Sequence, residues 1–252
     1  MGQGFITLTR KEILRFWKVS LQTLLAPLIS TLLYLVVFSQ VMGQRPSPYG
    51  GVSYAIFLVP GLVMMAMLQN AFANSSSSLV QSKVTGNLVF VLLAPISEGE
   101  FLAAYVAAAM VRGMMVGFVV WLTAWVFIGG VVYSPLWVMV FGFLSIGLAG
   151  VLGVLAGISA EKFDQMAAWQ NFLILPLTFL SGAFYSIHSL PTAWQIFSRF
   201  NPFFYAIDGF RYGFVGASDV PPMESLFVVA GSGLALSWTT LVLLRSGWRL
   251  RP

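Results

Sequence analysis

The sequence predicts an all-α membrane protein with six transmembrane helices, and two observations carry that expectation. Only 8% of the 252 residues are charged while 58% are hydrophobic, against about 25% charged in soluble domains. A soluble chain cannot hide that much apolar surface and stay dispersed. The apolar residues also gather into six runs close to the roughly 20 residues that a helix needs to cross a bilayer. These runs are 24–42, 54–73, 101–128, 136–159, 166–185 and 223–244, within one transmembrane domain spanning 1–252.

Ahead of the first span lies "ITLTRKEILRFWK". At helical spacing Lys11, Arg15 and Lys18 share one face and Ile6, Ile13 and Trp17 lie opposite, with Arg10 near the apolar side. The expectation for 1–22 is an amphipathic helix in the membrane interface; a plain basic tail is the alternative. The first apolar run turns polar without a small-x-small motif, so it does not read as a cleavable signal.

In the second span, Pro60 and Gly61 predict a kink. Gln69, Asn70 and Asn74 form a polar patch at its inner end, suited to interhelical hydrogen bonds. The connection 75–97 carries an apolar piece, 88–94, too short to span. It predicts a short surface helix ended by Pro95, facing a protein partner or the membrane. Ser97 follows as the cap of the third span, with Glu98 and Glu100 in its first turn.

The third span contains Arg112 near mid-membrane, where a cation needs a partner or a wet cavity, unless the span starts later. Ala109, Gly113 and Gly117, and in the fourth span Ser145, Ala149, Gly153 and Gly157, form rows of small residues. Such rows let helix backbones approach closely, within a subunit or across a dimer face. Between spans five and six, 186–222 is too apolar for a solvent loop. It contains "RFNPFFYAIDGFRYGF", where Asp208 and Arg211 share a helical face at i, i+3.

Orientation follows from the basic residues. Arg10, Lys11, Arg15, Lys18, Lys83, Lys162, Arg245, Arg249 and Arg251 fall on one side, and Arg45, Arg199 and Arg211 on the other. That places both termini in the cytoplasm. The net charge of +5 is spent beside apolar spans, so no nucleic-acid partner is expected. The chain has no cysteine, which excludes disulfides, thiol catalysis and zinc–thiolate sites. Its one histidine, His188, has no acidic neighbours that would make a metal site or a triad. A GxxxxGK[ST] phosphate loop is absent, so ATP cannot bind by that route.

Several stretches together resemble the ABC-2 type transporter permeases: "VPGLVMMAMLQNAFANSSSS", "GNLVFVLLAPIS" and "LSGAFYSIHSLPTAWQIFSRFNPFFYAIDGFRYGFVG". The likeness covers nearly the whole chain, and the order of "PTAWQ" and "NPFFYAIDGFRYG" is its most specific part. It implies a permease subunit of an ATP-driven exporter in a bacterial inner membrane. The permease works as a dimer, a homodimer here, with separate ATPase subunits that hold the ATP and Mg, and binds no cofactor itself. The cargo classes are amphiphilic, glycan-linked, lipid or drug-like.

The resemblance assigns the amphipathic helix to an interfacial connecting helix. It assigns Gly86, Asn87, Leu88, Leu92, Leu93 and Pro95 to a coupling helix that touches the ATPase. Acidic residues often precede "LL-x-P" in the family, but this chain has Val89 and Phe90, so an apolar contact is expected. Two short re-entrant helices are implied between spans five and six, with Asn201, Pro202, Asp208 and Arg211 as their clamp. Gln69, Asn70, Asn74 and Arg112 are then the candidates for the pathway. Two other readings compete: an assembly or regulatory membrane subunit, and an integral-membrane enzyme.

Overall fold

The computed structural model describes residues 2–42, 49, 52–129 and 132–249. Arg45 and Arg251, counted above for orientation, lie outside the described residues, as do parts of the loops 43–53 and 129–135. Every regular element among the described residues is helical. In chain order they are α1 (Gln3–Trp17), α2 (Ser20–Met42), α3 (Tyr54–Val84), α4 (Leu88–Leu93), α5 (Glu98–Ile128) and α6 (Pro135–Ser159). Then come α7 (Phe163–Trp169), a π-helical turn (Gln170–Ile174), α8 (Leu175–Phe179), α9 (Thr192–Arg199), α10 (Pro202–Val215) and α11 (Pro222–Ser246).

Among the described residues, five helices are long and apolar enough to cross a membrane: α2, α3, α5, α6 and α11. The sixth expected span, 166–185, is shorter than expected. The α7, π-turn and α8 pieces follow one another without a gap over seven, five and five residues, and the chain leaves the helix after Phe179. Pro176 accounts for the π-turn. A proline has no amide to donate and crowds the preceding turn, and a π-turn absorbs that mismatch.

The second expected span also differs. α3 continues past 73 to Val84, about 46 Å at 1.5 Å per residue, so only the end of 75–97 remains a loop. The run of serines is helical because it is buried. Ser76 donates back to the Phe72 carbonyl at 2.8 Å, and Ser75, Ser76 and Ser78 lie against α5 and α6. The small-residue rows supply the room. A Cβ at Gly153 would overlap the Phe72 carbonyl, and one at Gly157 would overlap Leu79. On α5, Gly113 fits against Ile146 and Gly117 against Met67. Both rows therefore pack within one chain.

α3 is the axis of the bundle, with 78% of its apolar window buried, against 17% for α2 and 11% for α11. Pro60 sits inside α3 without ending it. Gly61 beside it is required by close approach, since a Cβ there would overlap the Ala183 carbonyl. α1 lies against α5 by a stripe of Leu8, Glu12 and Phe16, while Ile6 and Trp17 face outward. At the other end, α10 is wedged against α6, where Gly209 admits the Phe141 ring. The amides of Tyr133 and Ser134 donate to the carbonyls of Phe214 and Gly213 at 3.2 and 2.8 Å, strapping the start of α6 to α10.

Local signals hold where they predict local geometry. Ser97 caps α5 in a capping box with Glu100. Asn201 caps α10 through the Phe203 amide, with Pro202 at the first helical position.

Candidate functional site

Two sites gather the polar residues that an apolar chain has to justify, and a third is a short helix with an exposed apolar face. The first is a cavity of about 570 Å³ between α2, α3, α5 and the π-turn. Arg112 enters it from one residue short of the midpoint of α5, and Gln69 and Asn70 from the midpoint of α3. Arg15 and Ser77 line its α1 end, and Tyr34, Leu62 and Met65 the opposite end. Gln170 reaches it from the π-turn, where the extra backbone of a π-bulge re-aims a side chain.

Arg112 Nη2 donates to Asn70 Oδ1 at 3.1 Å, and Asn70 Nδ2 donates to the Ala66 carbonyl at 3.0 Å. The Asn70 amide is thereby oriented with its oxygen toward the guanidinium. Arg112 Nε and Gln69 Nε2 are buried donors with no partner. Asn74, fully buried, does not line the cavity. Its side-chain oxygen and its carbonyl accept from Arg15 Nη2 at 3.2 and 2.8 Å.

Arg15 is also paired at 3.3 Å with Glu12, which is 0% exposed and takes Lys11 at 3.0 Å and the Ser78 hydroxyl as well. Sequence reading missed Glu12. The signal was there: a lone acid midway between Leu8 and Phe16, among Arg10, Lys11 and Arg15, on the stripe that docks.

The second site is the opposite end of the bundle, where α10 meets the segments around α8 and α11. Asp208 and Arg211 are both fully buried, and Arg211 Nη1 stands 3.9 Å from Asp208 Oδ1. That is a loose ion pair. Each group has its closer contacts elsewhere. Asp208 accepts the amides of Asp219 and Val220 at 2.8 and 3.0 Å. Arg211 Nη2 donates to the Gly182 carbonyl at 2.6 Å, and its guanidinium lies 4.1 Å over the Phe57 ring, a desolvated cation–π contact.

Asn201 Nδ2 donates to the Leu177 carbonyl at 2.6 Å. The two residues thus tie α10 to the loop before α11, the chain after α8 and the start of α3. Asp219, another residue that sequence reading missed, completes the knot. Its carboxylate accepts the Tyr49 and Ser186 hydroxyls at 2.9 and 2.7 Å and the Ile187 amide at 2.8 Å. Nothing in "GASDVPP" announces this role, because all its donors come from distant segments.

The third site is α4. Gly86 has φ 73°, a left-handed turn that favours glycine, and reverses the chain after α3. Asn87 donates to the Thr85 hydroxyl at 3.0 Å. Leu88 is buried, whereas Val89, Phe90, Leu92 and Leu93 are exposed, Leu93 at 78%. Ala94 is extended, as the residue before Pro95 should be. The result is a one-and-a-half-turn helix with an unpartnered apolar face at the α1 end of the bundle.

Among the described residues, no three His, Asp or Glu side chains come together as a metal site would need. Residues 3–215 match the family model described as ABC-2 type transporter. The chain is similar to the inner membrane transport permease YadH of Escherichia coli strain K12, 37% identical over 241 residues, covering 96% of this chain and 94% of the relative. It is also similar to nodulation protein J of Rhizobium meliloti strain 1021, 26% identical over 83% of this chain and 80% of the relative. The likeness to nodulation protein J of Rhizobium leguminosarum bv. trifolii is comparable, 26% over 82% and 80%.

Proposed function

The chain belongs to the ABC-2 type transporter family, and from that premise we propose that it forms half of the pathway of an ATP-driven exporter. At the level the family supports, it is a multi-pass inner-membrane transport permease subunit rather than an enzyme, and the family implies an ABC ATPase partner. The observation that carries the finer reading is the polar cavity at mid-helix. Water-lined or cargo-lined space is where intramembrane arginine and amide side chains belong. Arg112 Nε and Gln69 Nε2 keep unpartnered donors in the wall of that open cavity.

A second copy of the chain would close the cavity across α2. Leu21, Leu25, Ile29 and Leu33 form an exposed apolar stripe at i, i+4 on that helix. The two copies would form a homodimer with a shared pathway, served by two ATPases that carry ATP and Mg. Residues Gly86, Asn87, Leu88, Leu92, Leu93 and Pro95 would act as the coupling element, with Leu92 and Leu93 seated on the ATPase. The α9–α10 pair would dip into the outer leaflet and cap the pathway. Both termini would be cytoplasmic, and the cargo an amphiphile, in keeping with a cavity whose wall mixes polar and apolar side chains.

Co-purification tests this. Leu92→Asp with Leu93→Asp should release the ATPase and abolish transport while membrane insertion stays normal. Unchanged complex yield and transport would refute the coupling assignment. Because the chain is free of cysteine, single cysteines report topology and assembly directly. Thr85→Cys should be shielded from an impermeant reagent in intact cells and Ser189→Cys labelled, and Ile29→Cys should cross-link to its copy.

A further inference from the structure

Arg112 has no counter-ion. A cation midway along a membrane helix is costly unless an anion or a set of acceptors answers it. The cavity has Arg15 and Arg112 in its wall and no carboxylate. Glu12, the acid beside Arg15, is engaged by Lys11, Arg15 and Ser78, and no ion pair joins it to Arg112. Arg112 meets one neutral acceptor, Asn70 Oδ1, and its Nε is left over. Gln69 Nε2, a second unpartnered donor, belongs to the same wall. Two buried donors lack partners, the only charges in the wall are positive, and the planar guanidinium suits a bidentate oxyanion.

The cavity also runs along α3. Leu62 and Met65 line one end, Gln69 and Asn70 the middle, and Ser77 the other. Its volume falls within the roughly 300–1,000 Å³ of ligand pockets, more than a phosphate alone would fill. Apolar wall beside the arginine suits a head-and-tail molecule, with its head at Arg112.

We infer that the cavity is a binding site for the phosphate-type headgroup of an amphiphile, with Arg112 as its counter-ion and Gln69 as a neutral donor beside it. This rests on the reading of the cavity as the transport pathway and narrows the cargo to anionic amphiphiles. The headgroup could belong to a resident phospholipid or to the cargo, and the test separates them.

The purified permease–ATPase complex in neutral detergent is titrated with dodecyl phosphate, dodecyl maltoside and dodecyltrimethylammonium, and followed by thermal shift and tryptophan fluorescence. Dodecyl phosphate should bind about tenfold or more tighter than the other two, the ratio expected of a charge-assisted hydrogen bond. Arg112→Gln should erase the preference and Arg112→Lys retain part of it. Gln69→Leu, which keeps the charge, should weaken dodecyl phosphate alone, and stands in if Arg112→Gln fails to fold. Equal binding of the three amphiphiles, or a preference untouched in Arg112→Gln and Gln69→Leu, overturns the inference.

Mass spectrometry of the intact complex identifies the source. Phospholipid retained by the wild type and lost in Arg112→Gln, with dodecyl phosphate leaving ATPase activity unchanged, means a resident lipid. Stimulation of ATPase activity by dodecyl phosphate, absent in Arg112→Gln, means cargo. Should the phosphate preference hold while no ATPase assembles with the chain, the transport reading fails and the anion site stands.

Discussion

Two arginines sit within apolar helices of this chain, Arg211 fully buried and Arg112 half-buried, and their surroundings differ. Arg211, at the α10 end, is fully buried, bonded to the Gly182 carbonyl, stacked on Phe57 and within reach of Asp208, although its Nε and Nη1 make no hydrogen bond. Arg112, at mid-helix, faces a cavity with one neutral acceptor and a donor to spare. The difference lies in charge compensation and space: Arg211 has a carboxylate and an aromatic face beside it in a closed knot, whereas Arg112 has one neutral acceptor and opens onto a cavity. A closed setting locks segments together; an open one is where the proposed ligand would sit.

The largest effects should come from the locked end. Asp208→Ala or Arg211→Ala leaves buried groups unsatisfied, which typically costs about 3–5 kcal/mol. If the ion pair dominated, the double variant would recover most of the loss. With the pair at 3.9 Å and the closer bonds going to Asp219, Val220 and Gly182, the double variant should instead lose nearly the sum. A double-mutant cycle by thermal unfolding in detergent measures the coupling, and full recovery would show that the pair, not its backbone contacts, is the lock.

Asp219→Ala comes next. It strands the Tyr49 and Ser186 hydroxyls and the Ile187 amide, and should cost about 1.5–3 kcal/mol, the worth of hydrogen bonds to a charged group. Protease nicking between α8 and α9 should rise with it. Gly61→Ala, which drives a methyl into the Ala183 carbonyl, should cost about 1–3 kcal/mol by overpacking. Gly147→Ala is its control, since open space surrounds that Cβ and alanine favours the helix.

Arg112→Gln should show the smallest change in stability, about 1 kcal/mol or less, because the hydrogen bond lost is offset by removing an uncompensated charge, yet the largest loss of transport. A stability loss as large as that of Arg211→Ala would erase the contrast between the two arginines.

Much of this was legible beforehand, and what was legible shares a feature. The capping box of Ser97 and Glu100, the Asn201–Pro202 start of α10 and the apolar runs depend on residues within a few positions of one another. The Gly113–Gly117 and Gly153–Gly157 rows could be read as contact faces, though the helices they face could not. Arg112, Asn70 and Gln69 were suspected on hydropathy alone, and the structure gathers them around one cavity, while Asn74 turns to Arg15 instead.

What the sequence determined by itself was helicity, the apolar segments, the caps and the cost of each intramembrane charge, because these follow from neighbours along the chain. Tertiary structure decided which costs were met. Glu12 meets Ser78 across 66 positions, Arg15 meets Asn74 across 59, and Tyr49 meets Asp219 across 170. It also carried α3 on through its serines, by burying them against α5 and α6. Hydropathy prices a residue against lipid or water, whereas a buried hydrogen bond depends on the one distant group that folding brings within 3 Å or so, and no local pattern encodes that partner.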